Sequence, residues 1–180
     1  MNTNVPQPAR RGFLKETAAI VLGTLSGLIP FAAGLAVFLD PLRKKSQSSS
    51  LSFVATLDAL PEDGSPRQFN VIADRSDAWN RTPNVPIGAV YLRRSGEQKV
   101  QALNVVCPHA GCFVDYKAQE KCYLCPCHQS KFALDGTIED PKSPTPRALD
   151  TLEVEIRNES EVWVRYESYL AGRPEKVRIA

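Results

Sequence analysis

The soft sulfur and imidazole ligands of this 180-residue chain all lie in one short stretch. It reads Cys107-Pro108-His109-Ala110-Gly111-Cys112, then twelve residues, then Cys125-Pro126-Cys127-His128-Gln129-Ser130. Both histidines and all five cysteines fall within the 22 residues from 107 to 128, a clustering that points to a metal site. Each half offers one thiolate and one imidazole, Cys107-x-His109 and Cys125-x-x-His128, and each carries a second cysteine, Cys112 or Cys127. A two-iron, two-sulfide cluster with two cysteines on one iron and two histidines on the other uses the paired ligands fully. A tetrahedral zinc site of two thiolates and two imidazoles leaves the spare cysteines idle and lacks the usual close histidine spacing. Zinc on Cys107, Cys112, Cys122 and Cys125 strands both histidines, and a pure disulfide scaffold leaves one of five cysteines unpaired. Cys122 is that odd residue, and its bland reading is a buried apolar thiol. Prolines after Cys107 and Cys125 suit rigid loops that hold ligands in place before the metal arrives.

At these residues the sequence resembles the Rieske iron–sulfur proteins, whose pattern is Cys-x-His-x-Gly-Cys followed by Cys-Pro-Cys-His-Gly-Ser. The resemblance implies one [2Fe-2S] cluster per chain, with Cys107 and Cys125 on one iron and His109 and His128 on the other. It also implies a Cys112–Cys127 disulfide, and hence an oxidising compartment, and a hydrogen bond from Ser130 to a bridging sulfide. Three positions depart from the pattern. Gln129 stands where many relatives have glycine, which predicts a different local backbone in the second loop. Phe132 stands where high-potential relatives have a tyrosine whose hydroxyl bonds a ligand sulfur, and losing that donor predicts a lower potential suited to menaquinol. Ala110 replaces a bulkier leucine, predicting a shallower docking surface.

The segments that must carry this site read as follows. Residues 1–9 are polar with two prolines and are expected to be disordered. Arg10-Arg11-Gly12-Phe13-Leu14-Lys15 resembles the twin-arginine export signal, with Ala9 in place of its leading hydroxyl residue, so residues 1–16 are read as a signal region. Residues 17–39 hold no charge, and as a helix would span about 34 Å, enough for a ~30 Å hydrocarbon core. No convincing cleavage site follows, so this is read as a retained anchor, kinked at Pro30. Basic residues balance on the two sides, and only the twin-arginine resemblance places the following domain outside. Residues 40–50 are read as a tether with a span of roughly 18 Å, either a passive spacer or a hinge. The first 45 residues carry six Lys/Arg against two acids while the whole chain is only +2, and nothing suggests nucleic acid.

From residue 51 onward short β-rich runs at 53–57, 68–72, 89–92 and 100–106 are separated by Gly, Pro, Asp and Asn. Residues 131–134 turn at Asp135-Gly136 into 137–139, a hairpin signal. Leu152, Val154 and Ile156 alternate with charged residues, and 162–166 follows after a turn. The prediction is an all-β antiparallel sandwich over 51–180, with inserted cluster loops at about 105–147, preceded by one N-terminal transmembrane helix. Pro141, Pro144 and Pro146 make a rigid loop that resembles the proline-rich loop covering the cluster in quinol-oxidising relatives. Trp79 and a Pro83/Pro86 loop read as surface, and the basic tail after Gly172 as peripheral.

The resemblance implies electron transfer by a subunit of a bacterial cytochrome bc-type complex in the inner membrane, with the cluster domain on the periplasmic side. Quinol would hydrogen-bond His109 or His128, the residues that would carry the chemistry. The implied partners are a cytochrome b, a c-type cytochrome and the lipid bilayer. Two other readings remain open: the Rieske small subunit of a periplasmic molybdenum oxidoreductase such as arsenite oxidase, and a structural zinc-binding module.

Overall fold

The computed structural model describes residues 10–43, 50–76 and 80–179. They fall into two units, residues 1–45 and 46–180.

The first unit is the helix α1, Arg10–Arg43. It is longer than the predicted 17–39 at both ends and runs through Pro30 without interruption. It also takes in residues 40–43, which the sequence assigned to the tether; extending an existing helix costs little once the first turn is nucleated. The rest of that tether up to residue 49, like residues 1–9, lies outside the described residues. Every residue from 13 to 39 is exposed, so α1 presents apolar side chains on all its faces. The span Gly12–Asp40 is long and apolar enough to cross a membrane. Two of its hydroxyls fold back on the helix: Thr17 Oγ1 donates to the Phe13 carbonyl at 2.8 Å and Thr24 Oγ1 to that of Val21 at 2.9 Å. A helix apolar all round with folded-back hydroxyls suits hydrocarbon surroundings.

The second unit is all-β and antiparallel, as its alternation predicted. Six strands form one sheet in the order β1-β9-β8-β4-β3-β2. They are β1 (Leu51–Thr56), β2 (Arg67–Ser76), β3 (Arg81–Gly96), β4 (Lys99–Asn104), β8 (Thr151–Arg157) and β9 (Glu161–Arg165). The sheet curls so that its edge strands β1 and β2 come together. Val71, Val90, Leu92, Ala102, Leu152, Val162 and Val164 fill the interior. A second sheet, β5-β6-β7, comprises Asp115–Lys117, Cys122–Leu124 and Lys131–Phe132. It packs on the other face of β3 and β4, where Ala89, Tyr91, Leu103 and Val105 meet Val114, Tyr123 and Phe132.

The strands β3 and β4 are therefore a middle layer, which explains why 89–92 is apolar without alternation. Val90 and Leu92 face one core, Ala89 and Tyr91 the other. The Tyr91 hydroxyl locks the layers together, donating to the Val114 carbonyl and accepting from the Tyr116 N–H, both at 3.1 Å. Deep burial raises its pKa. The predicted hairpin at Asp135-Gly136 is present in shortened form, with a single bridge between Phe132 and Ile138. Gly136, at φ +91°, is required there, since a Cβ would sit 3.0 Å from the Leu103 side chain.

Pro83 and Pro86 correct the sequence reading: they lie within β3, not in a loop. β4 pairs only with residues from Val90 onward, so the proline-bearing part has β2 as its sole neighbour, with register shifts nearby. A strand end with one open edge tolerates the missing N–H. Trp79 lies outside the described residues.

Candidate metal centre

Two hairpin tips carry the site. The first loop, residues 107–112, closes over the bridge between Val106 and Phe113, and the second, residues 125–130, closes over the pair Leu124 and Lys131. Their backbones match bond for bond. Cys107 N–H donates to the Cys112 carbonyl at 2.7 Å and Gly111 N–H to the Cys107 carbonyl at 3.0 Å. In the second loop Cys125 N–H reaches the Ser130 carbonyl at 2.8 Å, and Gln129 N–H the Cys125 carbonyl at 3.0 Å. The fifth residue is left-handed in both, Gly111 at φ +79° and Gln129 at +59°. Glutamine thus keeps the glycine conformation, contrary to the expected change of backbone, because the two hydrogen bonds that close the loop demand it.

This shared frame decides which side chains meet. Histidine is third in the first loop and fourth in the second, and the rings of His109 and His128 lie edge to face with centroids 4.7 Å apart. Cysteine is first in both, so Cys107 and Cys125 are buried side by side in the second core. Burial pushes the Cys107 thiol up, and the neighbouring Cys125 adds to it, while the His109 N–H and the Ser130 hydroxyl oppose the shift. The remaining cysteines, sixth and third, form the Cys112–Cys127 disulfide that joins the loops.

Two observations bear on a bound group. His109 Nδ1 is buried without a hydrogen-bond partner among the described residues. So is the hydroxyl of Ser130, which is fully buried and lies near enough to Cys107 to influence its thiol without forming an ordinary hydrogen bond. Two buried thiols, two adjacent imidazoles and a spare hydroxyl donor converge, and buried polar groups rarely go unpaired. A [2Fe-2S] cluster fits this set: two soft thiolates, two imidazoles and a donor for an inorganic sulfide. Zinc does not fit. Although the Cys112, Cys125 and Cys127 sulfurs lie within 4.8 Å of one another, two of them are consumed by the disulfide. The same bond removes Cys112 from the alternative set with Cys107, Cys122 and Cys125. Cys122 itself is fully buried, its thiol pushed up by burial, as the bland reading held.

Access differs between the histidines: His128 is exposed and His109 half-buried, and Phe113, directly after the first loop, is 61% exposed. Phe132 is fully buried in the same core as Cys107 and Cys125. The proline loop is held by its own turns, Lys142 N–H to Asp140 Oδ1 at 2.8 Å and Thr145 Oγ1 to the Arg147 carbonyl at 2.9 Å. Residues 173–179 are exposed, in keeping with a peripheral tail, but at its root Gly172 N–H donates to the Pro108 carbonyl at 2.8 Å. A contact between two backbone groups leaves no side-chain signature, and only the glycine hinted at it.

A β domain presenting paired thiolates and paired imidazoles at its tip defines the class of iron–sulfur electron carriers. The chain belongs to the Rieske [2Fe-2S] domain family, which matches residues 51–153, more than half its length, and whose members carry the [2Fe-2S] cluster. At 29% identity over 163 residues it is similar to the menaquinol:cytochrome c reductase iron-sulfur subunit of Geobacillus thermodenitrificans, covering 88% of this chain and 92% of that one. It is 36% identical over 163 residues to the cytochrome b6-f complex iron-sulfur subunit of a Synechococcus species, covering 86% of each. Among solved structures, the cyanobacterial plasma membrane Rieske protein of Synechocystis overlaps 63% of this chain and 98% of its own length, at 23% identity and TM-score 0.45.

Proposed function

We propose that this chain is the iron–sulfur subunit of a bacterial quinol:cytochrome c oxidoreductase of the cytochrome bc type, oxidising quinol, with menaquinol favoured. Cys107 and Cys125 would hold one iron and His109 and His128 the other, with the Ser130 hydroxyl available as a donor to a cluster sulfide. The observation that carries this reading is the pair of adjoining imidazoles, one open to solvent, beside two buried thiols. When bound, the cluster supplies a one-electron acceptor.

The residues of the chain do the rest. With one ring nitrogen committed to iron, the outer nitrogen of His128, or of His109, would accept a hydrogen bond from the quinol hydroxyl, and then its proton, only in its deprotonated form. Phe132 adds no hydrogen bond to the ligand sulfurs, which keeps the potential low and suits menaquinol. The similarity to a menaquinol:cytochrome c reductase subunit, along nearly the whole of both chains, supports the same assignment. α1 anchors the protein as a single pass in the cytoplasmic membrane, residues 1–16 act as the twin-arginine signal, residues 44–50 tether the domain, and residues 51–180 stand on the outer side. A c-type cytochrome would be the electron's acceptor.

Copurification tests the reading. Mild detergent extraction of the intact chain should bring a cytochrome b with it, and the purified complex should reduce cytochrome c at the expense of menaquinol. Recovery with a molybdopterin subunit in place of cytochrome b would overturn it in favour of a periplasmic molybdenum oxidoreductase.

A further inference from the structure

Residues 168–179 lie beyond the part of the chain that matches the Rieske domain, yet they fold back on the first cluster loop. They form a narrow hairpin, with Leu170 N–H to the Val177 carbonyl at 2.9 Å, Ile179 N–H to Ser168 at 2.8 Å and a bridge between Tyr169 and Arg178. Its turn carries Gly172 at φ +72°, whose N–H donates to the carbonyl of Pro108, the residue between Cys107 and His109. Arg147 holds this hairpin in place. One terminal nitrogen donates to the carbonyls of Leu170 at 3.0 Å and Arg173 at 2.5 Å. The other face of the guanidinium grips Asp150 in a two-pronged bond, Nε to Oδ1 at 3.0 Å and Nη2 to Oδ2 at 2.7 Å, with both side chains at most 10% exposed. The Asp150 carbonyl accepts from Asn104 N–H at 2.8 Å, and the buried Asn104 side chain reaches both the Glu167 carbonyl and the Val106 N–H at 3.0 Å. A continuous polar chain thus runs from the strand that leads into Cys107 to the C-terminal hairpin.

Packing alone does not secure this contact. A cavity of about 290 Å³ separates the loop from the hairpin, lined in part by Val106, Cys107, Pro108, Tyr169, Ala171 and Ile179. Side chains that do not interlock hold little by dispersion, which leaves the polar links as the restraint. The second loop has no such cover: residues 126–129 are all exposed.

We propose that the Arg147–Asp150 pair and the C-terminal hairpin form a positioning clamp that fixes the first loop, and with it His109, and that acts on the second loop only through the Cys112–Cys127 disulfide. Arg147, Asp150 and Gly172 act through the loop and are positioning residues, not ligands. The proposal depends on the cluster the family carries and is independent of which donor the protein oxidises.

Two variants of the full-length, cluster-loaded protein test it. Arg147→Lys keeps a cation for Asp150 but loses the second terminal nitrogen, which reaches the tail carbonyls. Gly172→Pro removes the N–H and cannot adopt the positive φ. In both, amide hydrogen exchange in residues 104–114 should accelerate by roughly tenfold or more, as expected when charge-assisted or backbone bonds no longer oppose local opening. Exchange in residues 122–132 should keep its wild-type rate, iron should pass to a chelator faster by a similar factor, and the pH profile of the midpoint potential should shift. Faster exchange confined to 168–179 would show the hairpin to be a passive cover. Equal acceleration in both loops would show general destabilisation. Either outcome overturns the proposal.

Discussion

The two cluster loops share one backbone and differ in what surrounds it. Both begin with Cys-Pro, close with the same pair of hydrogen bonds and turn through a left-handed fifth residue. The first has a buried proline, a half-buried histidine and the C-terminal tail against its second carbonyl. The second has its proline, cysteine, histidine and glutamine in solvent. Moving histidine from third place to fourth on the same frame sets two imidazoles against each other, while cysteines at sixth and third place join in a disulfide. A repeated turn with a one-residue shift of side chains therefore builds both a ligand set and its staple. The unequal cover then leaves one histidine half-buried and the other exposed.

Breaking the staple should have the largest effect on this arrangement. Cys112→Ser should lower stability by about 3 kcal/mol, the loop-closure contribution expected for some 15 residues between the bonded cysteines. Denaturant unfolding of the variant measures it, and an unchanged midpoint would mean the shared hydrogen bonds hold the loops unaided. The fifth positions come next. Gly111→Ala should cost about 1–2 kcal/mol because an L-residue must adopt φ +79°, while Gln129→Gly should change stability by no more than about 1 kcal/mol in either direction. A smaller loss at Gly111 than at Gln129 would break the equivalence of the loops.

Position 132 sharpens the comparison on the electronic side. Val114 and Phe132 follow the two loops at the same spacing and both are buried without a polar atom to offer. Phe132→Tyr should raise the midpoint potential by roughly 20–60 mV, equivalent to one hydrogen bond of about 0.5–1.5 kcal/mol to the reduced state. Voltammetry of wild type and variant reads the difference, and an unchanged potential would remove Phe132 from the explanation of a low potential.

The smallest effect concerns Cys122, on the hairpin that bears the second loop. Burial raises its pKa above the usual 9.0, so the folded state holds the thiol proton more tightly than the unfolded chain. Its contribution to stability is thus intact below pH ~9 and declines as the pH rises beyond that value. Folded protein at pH 8 should resist alkylation at Cys122, and rapid labelling would show the site to be open.

The clustering of the two loops' thiols and imidazoles and the strands of the large sheet were legible because they rest on residue type and local period. Leu152, Val154 and Ile156 announce a half-buried strand, and 89–92 a run buried on both faces. Three-residue strands such as β5 and β6 are too short to show a period, and Pro83 and Pro86 concealed the start of β3 because strand tolerance depends on which edge is free. The left-handed Gln129 followed from hydrogen bonds with its own loop, and the folded tail from a glycine N–H meeting a proline carbonyl. Such contacts are decided by tertiary geometry, which no spacing in the sequence encodes.

Pulsed EPR of the reduced, full-length protein tests the central claim most directly. Two imidazole nitrogens should couple to the electron spin, and the reduced-cluster signal should vanish on His109→Ala or His128→Ala substitution with the fold retained. A signal without nitrogen coupling, or a silent protein holding one zinc ion, would contradict the account.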